Sequence, residues 1–218
     1  MLRSKGSKIL VFLFFAIAMV SLGWMLLRDT PMDITTSSSG IPRNALELAK
    51  DNYHEDARRA ALAYDLPYEY LMALAVLECS GKKPAGTRFE KKVFERLLQV
   101  KKGDRRKYEN VKKRHLEDAS DEAVRNLATS WGPFQLMGYK CIGMEVNVAD
   151  IRGEDAMLQG ARWISEEYGH LLNKDKFKDA FHYHNTGRKY PRNGKPTTHD
   201  PTYVSRGLEY MKYFSKKN

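Results

Sequence analysis

The chain has 218 residues, which is typical of one domain with an additional segment and is enough to bury a single core. Lysine and arginine (37) outnumber aspartate and glutamate (27), so the formal net charge is +10. A basic surface of this kind suits nucleic acid, an anionic membrane or an anionic polymer such as cell wall, and charge alone does not choose among them.

Residues 9–27 form an uncharged stretch that would be ~28 Å long as a helix, close to the ~30 Å hydrocarbon core of a bilayer. Arg3, Lys5 and Lys8 precede it, and this excess of positive charge predicts that the N-terminus stays inside and the rest lies outside the cytoplasm. We therefore expect residues 1–28 to be a single-pass anchor in the inner (cytoplasmic) membrane, with a cleaved signal peptide as the alternative. Export of the following domain argues against nucleic acid as a partner.

Residues 29–42 lack hydrophobic periodicity and are rich in Ser, Thr, Gly and Pro, which predicts a flexible linker. Fully extended, it reaches at most about 50 Å, so it would keep the next domain near the membrane. Residues 43–218 show helical periodicity with weak strand signals, so we predict one mainly α domain.

Helical spacing begins at Ala45 and continues to Tyr64, after which Asp65 and Pro67 suit the start of a second helix. That second helix, residues 68–79, is apolar on nearly all sides, which is typical of a helix inside a core. Further helices are predicted at residues 89–100, 104–116, 121 onward after a capping Ser120, 153–169, 174–183 and 203–214.

Eight cations lie between Lys101 and Arg114, within and just before the helix predicted at residues 104–116. A solvated face is their simplest explanation, and contact with anionic glycan or lipid is the alternative. The two cysteines, Cys79 and Cys141, could pair as a disulfide in an oxidising compartment, but two small buried thiols are the simpler explanation. The six histidines show no metal-ligand spacing, so no metal and no cofactor are predicted.

Glu78 lies at the C-terminal end of the apolar helix, directly after Leu77. Poor solvation and the negative end of the helix dipole both disfavour a carboxylate, so we expect this group to hold a proton near neutral pH. A protonated carboxyl group in a fixed position can donate to a glycosidic oxygen. The alternative is a glutamate that faces water or pairs with Lys82 or Lys83.

Two later turns contain residues suited to a sugar ligand. In residues 131–135, Trp-Gly-Pro-Phe-Gln, the glycine lets the backbone approach a ligand, an aromatic ring can stack on a sugar face, and the glutamine amide can both donate and accept. Residues 183–187, Tyr-His-Asn-Thr-Gly, add further hydrogen-bonding groups beside a glycine turn. Each motif alone is equally typical of a packed loop.

In this order, the three motifs resemble those of the lysozyme-like lytic transglycosylases, where a Glu closing an apolar helix is followed by Gly-x-x-Gln-Ile/Leu and by Tyr-Asn-x-Gly. Residues 88–97 also resemble the Phe-Glu-x-x-x-Phe segment of N-acetylmuramidase and phage-type transglycosylase domains. The resemblance covers residues 51–213. It departs from the pattern where Cys79 replaces the usual Ser, where Pro-Phe replaces Leu-Met, and where His184 replaces Tyr.

The resemblance implies a lysozyme-like helical domain that cleaves the β-1,4 bond between N-acetylmuramic acid and N-acetylglucosamine in peptidoglycan glycan strands. Glu78 would act as acid and then as base, leaving 1,6-anhydro ends. A hydrolytic N-acetylmuramidase, with Glu90 as the best second carboxylate, is one alternative, because hydrolases usually need two acids. A non-catalytic glycan-binding module of an envelope-spanning machine is the other. The implied substrate-binding residues are Ser80, Glu90, Trp131, Gly132, Phe134, Gln135, Tyr183, His184 and Asn185.

Overall fold

The computed structural model describes residues 44–216. The predicted span at residues 9–27 and the predicted linker at residues 29–42 lie outside them. Among residues 44–216, no helix combines the length and the apolar character needed to cross a bilayer.

The predicted mainly α fold class is confirmed, since nine α-helices dominate the described part of the chain. They are α1 (Ala45–Tyr64), α2 (Tyr68–Cys79), α3 (Lys91–Lys102), α4 (Asp121–Leu127), α5 (Lys140–Met144), α6 (Val148–Arg152), α7 (Ala156–Leu172), α8 (Phe177–Thr186) and α9 (Tyr203–Ser215). A single 3₁₀ turn spans Lys113–His115.

Within the described residues, five short strands form two antiparallel sheets. The strands are β1 (Arg88–Phe89), β2 (Lys107–Tyr108), β3 (Val111–Lys112), β4 (Thr129–Trp131) and β5 (Leu136–Met137). One sheet has the order β1-β4-β5, with Arg88 opposite Ser130 and Trp131 opposite Leu136. The other is a hairpin of β2 and β3.

The prediction of a helix at residues 104–116 is wrong, because this segment forms the β2–β3 hairpin and the 3₁₀ turn. Val111 is fully buried whereas its neighbour Lys112 is exposed, so burial follows the two-residue alternation of a strand. Glu109 adopts a left-handed conformation (φ +50°) in the two-residue connection, as hairpin turns of this length require.

Two other boundaries also differ from prediction. Arg88 and Phe89 pair as a strand, and helix α3 begins only at Lys91. Asp65 has a left-handed backbone (φ 50°) and ends α1 instead of capping α2, which has Pro67 at its N-cap position. In contrast, the capping role of Ser120 is confirmed, since its Oγ accepts the backbone N–H of Ala123 at 3.1 Å.

Helix α2 lies at the centre of the larger core. Every residue from Tyr70 to Ala75 is fully buried, as expected for a helix that is apolar on all sides. Its most extensive contacts are with α9 and α1. Helix α1 contributes Ala49, Ala57 and Ala60, all fully buried. These small side chains let the backbone of α1 lie close to the helices that pack against it.

A smaller core lies beneath the β2–β3 hairpin. Leu97 and Val100 of α3 pack there with Val111, Leu116 and Val124, and all five are fully buried. The hairpin is therefore attached to the domain by an apolar face, with its other face free for solvent.

The two cysteines are free, buried thiols in this structure. The Cys79 Sγ lies 3.1 Å from the Ala75 carbonyl oxygen, and burial raises the pKa of its thiol. Burial also raises the pKa of Cys141 to about 12. Both sulfurs are thus kept in the unreactive, protonated form.

The end of α2 is closed by two residues with left-handed backbones, Ser80 (φ 55°) and Gly81, and this turn packs tightly on α1. The Gly81 N–H donates to Ala75 O at 3.3 Å and the Ser80 N–H donates to Val76 O at 3.0 Å. A Cβ added to Gly81 (φ +71°) would lie 2.5 Å from the backbone nitrogen of Ala49. Only glycine fits here, so this position determines where the last turn of α2 lies.

Gly81→Ala should therefore destabilise the protein by about 2–4 kcal/mol, because it adds overpacking against α1 to the cost of a left-handed alanine. Gly194 has a similar backbone conformation (φ +74°) with open space around it, so Gly194→Ala should cost only about 1 kcal/mol. Urea unfolding of both variants measures the difference. Equal losses would mean that the close approach to Ala49 contributes nothing.

Candidate active site

Glu78, in the last turn of α2, faces a cleft of about 590 Å³. The cleft brings together the end of α2, the β-sheet, the end of α8 and the start of α9. Its lining consists of Leu77, Glu78, Arg88, Glu90, Ser130, Gln135, Met137, His184, Asn185, His199, Asp200, Tyr203 and Arg206.

The carboxyl group of Glu78 is largely withdrawn from solvent, with 16% of its side chain exposed. Its Oε1 atom accepts a short hydrogen bond from the hydroxyl of Tyr203. Neither Lys82 nor Lys83 pairs with it: Lys83 instead contacts the carboxylate of Asp56 at 2.8 Å. The alternative of a lysine-paired surface glutamate is therefore wrong.

His184 lies next to Glu78, with its Nε2 atom 3.9 Å from the Glu78 Oε1. The same Nε2 is 3.1 Å from the carbonyl oxygen of Phe134, which can only accept, so Nε2 carries the hydrogen. In the neutral ring, Nδ1 then accepts from the Tyr168 hydroxyl at 2.8 Å. Burial lowers the pKa of His184, even though the nearby Glu78 opposes this shift. The imidazole is thus held neutral in one tautomer.

Two further tyrosines extend this buried network. The Tyr70 hydroxyl donates to the Tyr168 hydroxyl at 3.2 Å, and both side chains are fully buried. Burial raises the pKa of Tyr168 and of Tyr203 well above the ordinary value, so both hydroxyls remain donors. The acid is consequently surrounded by neutral groups with fixed directions.

The other two carboxylates of the cleft each have an arginine partner. Glu90 contacts Arg88, with 2.6 Å between Oε1 and Nε. Asp200 contacts Arg206, with 3.0 Å between Oδ2 and Nη1, and hydrogen bonds from Thr202 hold the pKa of Asp200 below its usual range. Glu90 is therefore the ion-pair partner of an arginine and not a free carboxylate.

Gln135 uses its amide within the protein. Its Oε1 accepts from the Ser130 hydroxyl at 2.7 Å, and its Nε2 donates to the carbonyls of Gly86 (2.7 Å) and Gly132 (3.1 Å). The side chain joins the loop before β1 to the β4–β5 turn, where Gln135 itself has a left-handed backbone (φ 49°). The Gln135 side chain therefore shapes the cleft. Its amide both donates and accepts, as predicted for a sugar ligand, but its partners are backbone carbonyls and a hydroxyl group of the chain itself.

Four residues predicted to contact sugar need correction. The ring of Phe134 is 1% exposed and packs against Gly160, so it is a core side chain and offers no stacking face. Trp131 and Gly132 line a separate apolar pocket of about 520 Å³. Ser80 is exposed, ends α2 and is absent from the residues lining the Glu78 cleft.

The last predicted motif does line the site. Tyr183 and Asn185 face a second cleft of about 650 Å³, and the exposed side chain of Asn185 makes no hydrogen bond with the described residues. The second cleft shares four lining residues with the first: Gln135, Met137, His184 and Asn185. The two clefts thus form one continuous groove that passes Glu78.

Several site residues had no individual signal in the sequence. Tyr203 is 125 positions from Glu78, and Tyr168 had no motif around it. The polar pair His199-Asp200, three residues before the start of α9, was a signal that could have indicated a functional loop. Within residues 44–216, no three His, Cys, Asp or Glu side chains group as the ligands of a metal ion would.

Comparison with protein-family models, with curated proteins and with solved structures gives no match for this chain.

The neutral state of His184 predicts a pH dependence of stability. Because its folded pKa is below the unfolded value of about 6.5, its contribution is fully present above that pH and is lost as the pH falls below it. In His184→Gln, the free energy of unfolding in urea should fall less between pH 7.5 and 5.5 than it does in the wild type. His199→Gln, at an exposed position of the cleft, is the control and should keep the wild-type slope. An unchanged slope in His184→Gln would refute the assignment.

Proposed function

We propose that this protein is a lytic transglycosylase that cleaves the β-1,4 bond between N-acetylmuramic acid and N-acetylglucosamine in peptidoglycan, with Glu78 as its catalytic residue. One observation carries the proposal. Of the three carboxylates that line the cleft, Glu78 alone has no arginine partner, and it is held by the hydroxyl of Tyr203. An uncharged neighbourhood of this kind suits an acid that must exchange a proton.

The arrangement allows Glu78 to donate a proton. Tyr203 bonds to Oε1, and Oε2 makes no hydrogen bond with the described residues. A protonated carboxyl group can therefore keep the tyrosine bond on Oε1 while Oε2–H points to a glycosidic oxygen. As the C–O bond breaks, the proton moves to the leaving sugar oxygen and positive charge develops at the anomeric carbon.

The same carboxylate can complete the reaction as a base. It would remove the proton of the carbon-6 hydroxyl of the same sugar, whose oxygen then bonds to the anomeric carbon and closes the 1,6-anhydro ring. No water is consumed. Glu90 and Asp200 are each tied to an arginine, which lowers their tendency to accept a proton from water. This pairing favours the transglycosylase over the hydrolytic N-acetylmuramidase.

The remaining features support a polymeric sugar substrate. The groove is continuous on both sides of His184, as a chain longer than two sugars requires. Asn185 has an amide available for hydroxyl or acetamido groups, and Tyr183 lines the groove beside it. The neutral, fixed imidazole of His184 keeps the polar wall next to Glu78 in place. The mainly helical fold with an acid at a helix end supports a lysozyme-like domain.

We further propose that the enzyme is exported and anchored in the inner membrane through residues 9–27, with its domain outside the cytoplasm and near any envelope machinery that must pass the wall. The support is the uncharged sequence of this stretch and the preceding cations.

Glu78→Gln should lower the release of soluble muropeptides from purified sacculi by roughly 10²–10⁴-fold, because glutamine cannot transfer the proton. The substitution keeps the size of the side chain and an acceptor for Tyr203, so circular dichroism should remain that of the wild type. Glu95→Gln, at an exposed position of α3 that is paired only with Lys91, is the matched control and should retain activity. Full turnover by Glu78→Gln would exclude this residue as the acid.

Mass spectrometry of the released muropeptides separates the mechanisms. We expect 1,6-anhydro ends, and we expect Glu90→Gln to give the same products, because a single acid suffices. Reducing ends that have gained water, together with loss of activity in Glu90→Gln, would instead indicate the two-carboxylate hydrolase. Tight binding of the wild type to sacculi without release of any fragment would indicate the glycan-binding module.

A further inference from the structure

The β2–β3 hairpin carries the densest positive charge in the described part of the chain. Between Lys101 and Arg114 there are eight cations and only two acidic residues, Asp104 and Glu109. We use the name basic hairpin for residues 105–114. Arg106, Lys107 and Lys112 are all exposed on it.

No cation of the basic hairpin has a carboxylate partner in the described residues, whereas several arginines elsewhere in them do. In the described residues, Arg59, Arg88, Arg162 and Arg206 each pair with a carboxylate. The cations of the basic hairpin make no such pair there; the side chain of Arg105, for example, donates to the Lys107 carbonyl at 2.9 Å.

Two of these cations are even placed directly against each other. Lys107 and Lys112 are cross-strand partners in the antiparallel pairing, so their side chains leave the same face side by side. Like charges at opposed positions destabilise a hairpin. Together with Arg106 they alone line a concavity of about 320 Å³. A bound anion would relieve the repulsion at this site.

The basic hairpin is also held firmly. Val111 is fully buried, and the Tyr108 ring packs edge-on against Tyr139 with 5.2 Å between centroids. The guanidinium groups of Arg96 and Arg105 lie over the Tyr108 ring, each 5.8 Å from its centroid. The three lysine and arginine side chains of the concavity therefore project from a fixed base.

The tip of the basic hairpin reaches the substrate groove. Glu109 and Asn110, which connect its strands, line the second cleft together with Tyr183 and Asn185. Lys107 and Lys112 lie one pair beyond the tip pair of Tyr108 and Val111, so each is only about 3.4 Å further along its strand. A polymer that leaves the groove at this end would pass the three cations.

We propose that the basic hairpin binds the carboxylates of the peptides attached to the glycan strand, so that the preferred substrate is peptide-bearing peptidoglycan. This inference rests on the proposed function. The continuity with the groove favours the substrate over a membrane surface, because a site for lipid phosphates has no reason to adjoin the sugar-binding cleft. The peptides would be recognised by charge and not by sequence, since lysine and arginine side chains contact carboxylates without shape-specific pockets.

The test compares two full-length variants with the same change in charge. In Arg106→Gln/Lys107→Gln/Lys112→Gln the concavity loses its three charges. The control is Lys174→Gln/Lys176→Gln/Lys178→Gln, which removes three exposed charges from the α7–α8 connection and the first turn of α8. None of the three has a carboxylate partner in the described residues. Each is assayed on intact sacculi and on glycan strands from which an amidase has removed the peptides.

For the hairpin variant we expect kcat/KM on sacculi to fall by about ten-fold, the combined effect of three exposed ion pairs, with little change on the peptide-free strands. The wild-type preference for sacculi should weaken with added salt, and the control variant should behave as the wild type. Equal losses on both substrates, or the same loss in the control, would overturn the inference.

A binding measurement tests the role of the basic hairpin separately from the proposed catalytic function. If the wild type cuts neither substrate, the proposed function fails, and co-sedimentation with the two glycan preparations still tests the hairpin. Weaker sedimentation of the hairpin variant with sacculi alone would support peptide recognition. Unchanged sedimentation with sacculi, combined with weaker binding to vesicles of anionic lipid, would overturn it in favour of a membrane contact.

Discussion

The candidate site depends first on the burial of α2. This helix is apolar on all sides and can exist only inside a core, where α1 and α9 cover it. Its last turn is then fixed by the close approach of Gly81 to Ala49, which leaves little freedom for the residue three positions earlier. Glu78 is therefore placed by packing that extends over the whole helix. The same packing brings Tyr203 of α9 to the Glu78 carboxyl group.

The polar side chains that lie directly next to Glu78 are all uncharged. A buried lysine or arginine would hold Glu78 as a carboxylate and prevent proton donation. The domain instead uses phenol hydroxyls and a neutral imidazole, and burial favours the uncharged form of each. The arginines of the cleft are directed to Glu90 and Asp200 at its exposed edge.

The position of His184 illustrates how one side chain can satisfy several polar groups next to the acid. A histidine here bonds at both ring nitrogens, to the Phe134 carbonyl on one side and the Tyr168 hydroxyl on the other. It therefore links the β4–β5 turn, α7 and α8 beside the acid. The β4–β5 turn is held on its other side by the amide of Gln135, so the wall of the groove is fixed from two directions.

The sequence by itself determined the elements whose pattern is local. The all-apolar run of α2, the alanine face of α1, the capping Ser120 and the start of α9 could each be predicted, because a helical period and a cap are properties of neighbouring residues. Glu78 could be singled out for the same reason, since a lone acid at the end of a buried helix is visible in the sequence.

Only the tertiary structure decided which residues meet. The partner of Glu78 is 125 positions away, and no local pattern distinguishes that tyrosine from the others. Burial likewise assigned Phe134 to the core and left Asn185 free in the groove, although both lie in motifs of similar appearance. Residues 104–116 were predicted to be a helix because their many charged residues hide the two apolar residues, Tyr108 and Val111, that form one short face. That face forms a hairpin only because a second core exists to receive it.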